Sequence, residues 1–345
     1  MDAFRGTPAT PRQALTAAWA LASLACAPAI PPQSPPELAA VHSELVIGAG
    51  NAGSIGNQFG YEGGTAIKVA GVYHLFLSEM IGPPLWDGMR FGHWTSSDRV
   101  NWTRQDTVLE RRNAWSPMVI WDDTEERWNL FYIQYRWERP GEIPGQHDGT
   151  VLRLRSSVAG REGLSGPFDD LGVVMRPGPD SAAWEGQQGT DSFFPYRVGK
   201  RWLALYGSHD LLPGSPWLVG TATANTLAGP WTRLAGPLID PLFIENPVVT
   251  RQEDGALLAV YDSDATQTPG SYLEDGEHIG VTWSRDGLEW HAGKKVAILP
   301  PGTARDLRTP LGLIDEGDGR HTLFFTVRRT DAAWWDVGFA ELRRR

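Results

Sequence analysis

One unit of sequence recurs five times along the chain, and this repeat limits the possible folds more than any other feature. Each unit begins close to a Pro or Gly, continues into a short apolar segment, and reaches an aromatic-rich segment after a turn. The five beginnings are Glu62–Ile67, Trp115–Ile120, Asp191–Pro195, Glu245–Val249 and Arg308–Leu313. The aromatic-rich segments are Tyr73–Leu77, Trp128–Tyr132, Trp202–Tyr206, Leu257–Tyr261 and Thr322–Thr326. Both kinds of segment are rich in strong β-formers, so each unit starts with two predicted strands.

Each unit then continues into further predicted strands. The third strands are His93–Ser97, Leu152–Ser156, Leu218–Ala222, Ile279–Ser284 and Val337–Leu342. Three of the fourth strands begin with a tryptophan, at Trp102, Trp231 and Trp290. No segment after the N-terminal region has an apolar period of 3.6 residues, so we expect little helix.

Four antiparallel strands in each of five units predict an all-β fold, a five-bladed β-propeller. The last unit stops after its third strand, and we expect Ser43–Ile47 to supply the missing edge and close the ring. Such closure removes two exposed sheet edges. A β-sandwich built from the same strands is the competing interpretation, and the regular spacing argues against it.

The N-terminal segment has the pattern of a secretion signal. Arg5 and Arg12 precede an apolar run over residues 14–25, and small residues at a cleavage-site spacing follow it. The run is too short to span a membrane. We therefore predict a signal at 1–29, a Pro-rich linker at 30–40, and one β-propeller domain at 41–345, secreted or periplasmic. Cys26, the only cysteine, leaves lipid attachment open as an alternative anchor.

Composition narrows the possible partners. The formal net charge is -10, which argues against nucleic acid, because a nucleic-acid partner favours a basic face. The chain has 16 tryptophans, and an indole ring either packs between sheets or stacks on the C–H face of a sugar. We expect a monomer that binds carbohydrate.

The first strand of every propeller blade lines the central channel, so the leading residues of the five units should meet there. Three of them are carboxyl groups, Glu62, Asp191 and Glu245, and the others are Trp115 and Arg308. Confined carboxyl groups repel one another, so their pKa values must spread. Glycoside hydrolysis needs such a division, because one carboxyl protonates the leaving oxygen while another activates water or attacks carbon.

The order of these motifs resembles the five-bladed propeller glycosidases, particularly glycoside hydrolase family 43, and more remotely families 32, 68, 117 and 130. The resemblance covers about residues 57–342. It implies that Glu245 in Glu245-Asn246-Pro247 is the general acid and that Asp191 orients this acid and tunes its pKa. Trp115-Ser116-Pro117 resembles the Trp-Ala-Pro element of the second blade. The resemblance implies an inverting glycosidase.

Two positions depart from the family pattern. Glu62 stands before Gly63 and Gly64 where family 43 has Asp-Pro, and we predict that Glu62 acts as the base; a different family geometry, another base or an inactive site remain alternatives. Arg308 replaces a His that many relatives place near a buried ion. It can bind a carboxylate or phosphate in a bidentate manner, or it can neutralise the acidic ring.

Weaker candidates surround these residues. We predict that Gln188, on a polar Gly-rich approach to the third unit, contacts substrate hydroxyls, and that Phe193 and Trp115 contact the sugar. Asp262 lies at the end of a predicted strand, where it either supports the site residues or forms part of a turn. No zinc spacing or phosphate loop is present, and no cofactor is predicted. The sequence leaves open whether the acidic channel binds a structural Ca²⁺.

Three other functions fit the same pattern. A non-catalytic glycan-binding propeller would keep the aromatic residues without the carboxyl geometry. A glycoside phosphorylase or transglycosidase would use Arg308 to hold phosphate. A structural propeller for protein partners fits least, because the channel is rich in carboxyl groups. The sugar, its linkage and the anomeric outcome stay open.

Overall fold

The computed structural model describes residues 37–83, 87–136, 147–212, 215–238, 245–264, 274–298, 304–329 and 333–345, with backbone alone at 263–264, 274–276 and 304–306. These residues belong to one compact unit spanning 35–345. The predicted signal at 1–29, including Cys26, lies outside the described residues. Within the described ranges, no helix is long and apolar enough to cross a membrane.

The described structure is all-β, with three short 3-10 helices at Ala52–Ser54, Arg161–Ser165 and Ala183–Glu185. The strands of the first unit, with the strand before it, are β1 Leu38–Ile47, β2 Gly60–Val69, β3 Val72–Gly82, β4 Gly88–Ser96 and β5 Thr103–Glu110. Those of the second are β6 Ala114–Asp122, β7 Arg127–Gln134, β8 Thr150–Ser156 and β9 Phe168–Met175.

The third unit comprises β10 Asp191–Val198, β11 Arg201–Ser208, β12 Leu218–Ala224 and β13 Thr232–Arg233. The fourth comprises β14 Val248–Arg251, β15 Leu257–Asp264, β16 Glu274–Ser284, β17 His291–Ala292 and β18 Val296–Ala297. The fifth comprises β19 Ala304–Gly317, β20 Arg320–Arg329 and β21 Trp335–Arg344. The predicted first, second and third strands are therefore confirmed, except that the first strand of the fourth unit begins at Val248 and not at Glu245.

Strands within each unit pair antiparallel and in sequential order, except that β18 of the fourth unit pairs with β16. The first and last units share one eight-stranded sheet, because Gly60 of β2 forms a parallel bridge with Trp335 of β21. β1 pairs antiparallel with β21, as predicted for Ser43–Ile47. It begins earlier than predicted, at Leu38, so the last part of the predicted linker is strand.

Tight turns join the first and second strands of several units. Asp318 and Gly319 connect β19 to β20 with φ of 55° and 69°, and Ala70 and Gly71 connect β2 to β3 with φ of 49° and 85°. Positive φ at both central residues is the type I′ geometry, whose twist matches that of the flanking strands. These two-residue connections fix the register of each hairpin.

The first strands of all five units surround one cavity of about 700 Å³. β2 contacts β6 and β19, β6 contacts β10, β10 contacts β14, and β14 contacts β19. The walls of this cavity include Ala66, Val119, Pro195, Val249 and Leu313, one residue from each of the five strands. The later parts of the five first strands, although far apart in sequence, therefore lie around a common space, and the leading residues of the five units are not among the residues that line it.

Most of the tryptophans whose side chains are described pack in the protein interior. Trp231, for example, meets Phe193 edge to face with ring centroids 5.0 Å apart, and Trp290 meets Tyr196 in the same way at 6.0 Å. Aromatic pairs of this geometry stabilise the interface between neighbouring sheets. Packing between sheets thus accounts for much of the tryptophan content.

Candidate active site

Most of the first strands are irregular at their beginning, where the candidate residues lie. The pairing of strands shifts register between Tyr61 and Gly64, between Trp115 and Met118, between Asp191 and Phe194, and between Leu307 and Pro310. A bulge of this kind bends the strand and re-aims a side chain, and bulges are common next to active sites. Four of the leading residues therefore sit at equivalent irregular positions.

A left-handed residue follows four of the five leading residues. Gly63, Ser116, Ser192 and Asn246 have φ of 72°, 50°, 51° and 51°. This conformation costs an ordinary residue about 1–2 kcal/mol, so the rest of the fold has to hold it. A Cβ atom on Gly63 would lie 2.7 Å from Ser116 Oγ, which explains the glycine after Glu62.

Arg308 brings three buried carboxyl groups together. Its Nη1 lies 2.8 Å from Glu245 Oε1 and 3.7 Å from Asp262 Oδ2, and its Nε lies 3.4 Å from Glu62 Oε1. The carboxyl side chains are almost fully buried, whereas the Arg308 side chain is 19% exposed. The leading residues of the first, fourth and fifth units thus meet at one guanidinium group.

Asp191 belongs to the same cluster. Its Oδ1 accepts hydrogen bonds from the Tyr135 hydroxyl at 2.7 Å and from the Ser192 backbone N–H at 2.8 Å. Besides burial, the charge of Glu245 raises the pKa of Asp191, and the charge of Asp191 adds to the rise in the pKa of Glu62. Asp191 is therefore near enough to Glu245 and Glu62 to interact with them electrostatically.

Burial separates the pKa values of these groups from those of ordinary carboxyl groups. Desolvation raises the pKa of Glu62 to about 8, with Arg308 lowering it and the charge of Glu245 raising it. Desolvation and the charge of Glu245 likewise raise the pKa of Asp191 to about 7. The pKa of Asp262 lies well above its usual range for the same two reasons. A cleft with such shifted carboxyl groups is suited to acid–base chemistry.

A directed chain of hydrogen bonds supports Asp191. His147 Nδ1 lies 2.7 Å from Gln188 Oε1, and Gln188 Nε2 donates to the Tyr135 hydroxyl at 2.8 Å, which in turn donates to Asp191. Because an amide oxygen only accepts, His147 donates from Nδ1. Gln188, predicted as a substrate contact, is buried and engaged in holding Tyr135.

A second chain links the third and fourth units. Ser192 Oγ donates to Asn246 Oδ1 at 2.9 Å, and Asn246 Nδ2 donates to Asp262 Oδ2 at 3.0 Å. Thr309 Oγ1 donates to Glu62 Oε1 at 2.9 Å. Sequence reasoning missed the supporting roles of Ser192, Asn246 and Thr309, although each directly follows a leading residue.

Two predicted sugar contacts are core residues. Phe193 is 1% exposed and packs between Phe131 and Trp231, with ring centroids 5.4 Å and 5.0 Å away. Trp115 is 8% exposed and belongs to the same hydrophobic core. Both side chains therefore support the strands that carry the site, and we assign them no contact with substrate.

The described residues do not fit a calcium site. No group of three or more His, Cys, Asp or Glu residues within them is arranged to hold a metal ion. Arg308 already places a positive charge between Glu62, Glu245 and Asp262. The guanidinium group thus supplies the charge that a cation in this position would bring.

Comparison with solved structures identifies the fold. A family 117 glycoside hydrolase from the marine bacterium Zobellia galactanivorans is similar with a TM-score of 0.62 and 14% identity, over 89% of this chain and 90% of that one. An α-L-arabinofuranosidase from Podospora anserina has a TM-score of 0.57 and 13% identity, over 90% and 97%. The chain has the fold of glycoside hydrolases. A GH43_1 enzyme from Xanthomonas citri agrees, with a TM-score of 0.55 and 12% identity over 83% and 88%.

The predicted resemblance to families 43 and 117 is thus confirmed for the fold. No family model matches the sequence, and no curated protein matches it. At such low identity the likeness does not carry an activity from one protein to another. The chemistry has to be argued from the residues of the site itself.

Proposed function

We propose that the protein is a five-bladed β-propeller glycoside hydrolase that uses Glu62 and Glu245 as its catalytic pair, with Asp191 tuning them. β1, paired with β21, would close the ring. The observation that carries the proposal is that two buried carboxyl groups contact one guanidinium group at the strand beginnings of a glycosidase fold. Two carboxyl groups in unlike surroundings are what acid and base catalysis of glycoside cleavage requires.

The separation of the pair suits this chemistry. Because Glu62 Oε1 and Glu245 Oε1 contact nitrogens of the same planar guanidinium group, they lie closer together than the upper limit of about 9.5 Å for inverting pairs. Inversion is the outcome that the family resemblance implies. Proton NMR of the first anomer released would distinguish inversion from retention.

The neighbouring residues have supporting parts in this proposal. Asp191 adjusts the electrostatic environment of Glu245. Tyr135 and Gln188 hold Asp191 in position, as their hydrogen bonds support. Arg308 is engaged by three carboxyl groups, which argues against the phosphorylase alternative, where it would bind phosphate.

The substrate proposed is an oligosaccharide or polysaccharide outside the cytoplasm. Residues 1–29 would direct secretion, and the mature protein would act as a monomer. N-terminal sequencing of the protein exported by its native host, together with light scattering, tests both statements. A mature protein that retains residues 1–29 would contradict the secretion signal.

A screen with aryl glycosides and oligosaccharides tests the function. We expect wild-type hydrolysis of at least one glycoside, and a loss of about 10²–10⁴-fold in turnover for both Glu62→Gln and Glu245→Gln on substrates with poor leaving groups. Glu44→Gln, an exposed change on β1, is the control and should leave turnover unchanged. Full activity in both site variants would exclude this pair.

A further inference from the structure

We propose that a pocket between the first and fifth units binds a tetrahedral oxyanion through Arg320 and Arg343. The ligand is a sulfate or phosphate group, either as a free ion or as an ester on a sugar. This inference does not depend on the proposed hydrolase function.

The pocket lies where strands of the first and fifth units meet. It has a volume of about 370 Å³, and its walls come from β1, β2, β3, β19, β20 and β21 and from Arg99, which follows β4. The carboxyl groups of the candidate active site, at positions 62, 191, 245 and 262, are not among the residues that line it. The pocket is therefore a second cavity, distinct from the candidate active site.

Two arginines face each other across the pairing of β20 with β21. Arg320 is directly opposite Arg343 in this antiparallel register, and both residues line the pocket. Directly opposed residues project on the same face of a sheet, and like charges in such a pair destabilise it. An anion bound between the two guanidinium groups would replace this repulsion by attraction.

The other charged groups of the pocket are already compensated. Lys68 Nζ lies 2.5 Å from Glu316 Oε2, and Arg99 Nη2 lies 2.8 Å from Glu341 Oε1. Burial lowers the pKa of His321, which also lines the pocket, so this residue adds no positive charge at neutral pH. The two carboxylates of the pocket are thus used by Lys68 and Arg99.

Arg320 and Arg343 have no comparable compensation. Arg320 forms one ion pair within the described residues, with Asp318 at 3.7 Å, and the Asp318 side chain is 92% exposed, so this pair is weak. Arg343 has no carboxylate partner in the part of the chain that the structure describes. The pocket therefore carries excess positive charge in a protein whose formal net charge is -10.

The two guanidinium groups indicate the class of ligand. Each presents a planar fork of N–H donors that matches two oxygens of a carboxylate, sulfate or phosphate. A tetrahedral oxyanion can offer a different pair of oxygens to each fork, whereas a carboxylate has only two oxygens in all. A doubly charged anion also balances both arginines. The geometry and the charge therefore favour a sulfate or phosphate group over a carboxylate.

Thermal unfolding in sulfate tests the site. Wild-type protein and Arg343→Gln are compared in sodium chloride and in sodium sulfate at equal ionic strength, because salt screens charges. Sulfate also stabilises proteins in general, so the measured quantity is the difference between the two proteins. We expect sulfate to raise the melting temperature of the wild type by about 2–4 °C more than that of the variant.

The same experiment in chloride alone measures the repulsion. Without a bound oxyanion, Arg343→Gln should melt about 1–2 °C above the wild type, because the variant lacks the opposed charge. Arg320→Gln should behave in the same way. The double variant should gain no more than either single variant, since both changes remove the same repulsion. Arg201→Gln, an exposed change on β11, is the matched control and should behave like the wild type in both salts.

Calorimetric titration distinguishes the sources of the anion. Sodium sulfate, sodium phosphate and glucose 6-phosphate are titrated at about pH 7.5, where phosphate is mostly a dianion. Loss of either arginine should raise the Kd of each by about tenfold or more. Tighter binding of glucose 6-phosphate than of phosphate would identify a sugar ester as the ligand, whereas equal binding would identify the free ion. Both results support the site.

Three results would overturn the inference. The first is an equal response to sulfate in the wild type, Arg320→Gln and Arg343→Gln. The second is a lower melting temperature of both single variants in chloride, which would show that the arginines stabilise the fold without an anion. The third is binding of sodium acetate as tight as that of sulfate, which would exclude recognition of a tetrahedral oxyanion.

Discussion

Two regions of the first unit each bury a glutamate, and they treat its charge differently. Glu79 in β3 accepts from Arg90 Nε at 2.5 Å, from Arg104 Nε at 2.9 Å and from Trp94 Nε1 at 2.9 Å. Glu62, at the beginning of β2, shares one arginine with Glu245 and Asp262. Two arginine side chains compensate the charge of Glu79, whereas Glu62 has only a share in one arginine side chain.

This difference separates a structural carboxylate from a candidate catalytic one. A buried carboxylate with two dedicated cations serves the fold, because it ties β3 to its neighbours β4 and β5. A carboxyl group that competes for a cation can gain and lose a proton near neutrality, which is useful in catalysis and costly in stability. Glu185, paired with Arg233 at 2.7 Å and with the Tyr206 hydroxyl at 3.0 Å, repeats the structural arrangement in the third unit.

The largest expected contrast is between Glu79→Gln and Glu62→Gln. Removing the charge at 79 leaves Arg90 and Arg104 without their carboxylate, so we expect a loss of about 3–5 kcal/mol in the free energy of unfolding. Glu62→Gln should instead retain stability within about 1 kcal/mol near pH 5 and lose activity. Urea unfolding of the two variants measures the difference, and equal destabilisation would remove the distinction between the regions.

The pH dependence of stability should be the next largest effect. Burial raises the pKa of Glu62 from an ordinary 4.5 to about 8 in the folded protein. Between these values the folded state holds a proton that the unfolded state has lost, so stability is fully present at low pH and falls as the pH rises. We expect the wild-type free energy of unfolding to fall from pH 5 to pH 8 by a few kcal/mol more than that of Glu62→Gln. An identical slope in both proteins would contradict the raised pKa of Glu62.

A smaller effect is expected from Tyr135→Phe. Burial raises the pKa of Asp191, whereas the hydrogen bond from the Tyr135 hydroxyl lowers it. Its removal should raise that pKa further and shift the corresponding limb of the pH–rate profile to higher pH, with a fall of about tenfold in turnover at neutral pH. The matched control is Tyr196→Phe, which loses a hydrogen bond to the Gly287 carbonyl at 2.6 Å and should reduce stability by about 1 kcal/mol without moving the profile.

The sequence predicts the strands well because each unit repeats the same local signals. Segments such as Trp202–Tyr206 are rich in strong β-formers and are bounded by turn residues, and both properties are local. The leading residues could also be placed together, since an equivalent position in every repeat must lie at an equivalent place in the fold. The end of the linker was less predictable, because β1 is extended by its pairing with β21, at the other end of the chain.

The electrostatic pattern could not be predicted from the sequence. Glu62 and Glu79 both lie in or beside apolar segments, and what separates them is the pairing with Arg90 and Arg104, which the sheet alone brings into place. The support of Asp191 by Tyr135 and Gln188 likewise depends on contacts between separate units. The role of Phe193 could not be predicted either, because an aromatic residue in a strand has the same sequence pattern whether it contacts sugar or the core. Its burial in the structure places it in the core.

A crystal structure of Glu245→Gln with a bound oligosaccharide tests the central claim most directly. We predict a glycosidic bond beside the side chains at positions 62 and 245, with one of these two side chains about 3 Å from the glycosidic oxygen. The other side chain should lie on the opposite side of the anomeric carbon, next to a water molecule. A sugar bound elsewhere, or side chains at 62 and 245 that do not face the same bond, would contradict the account.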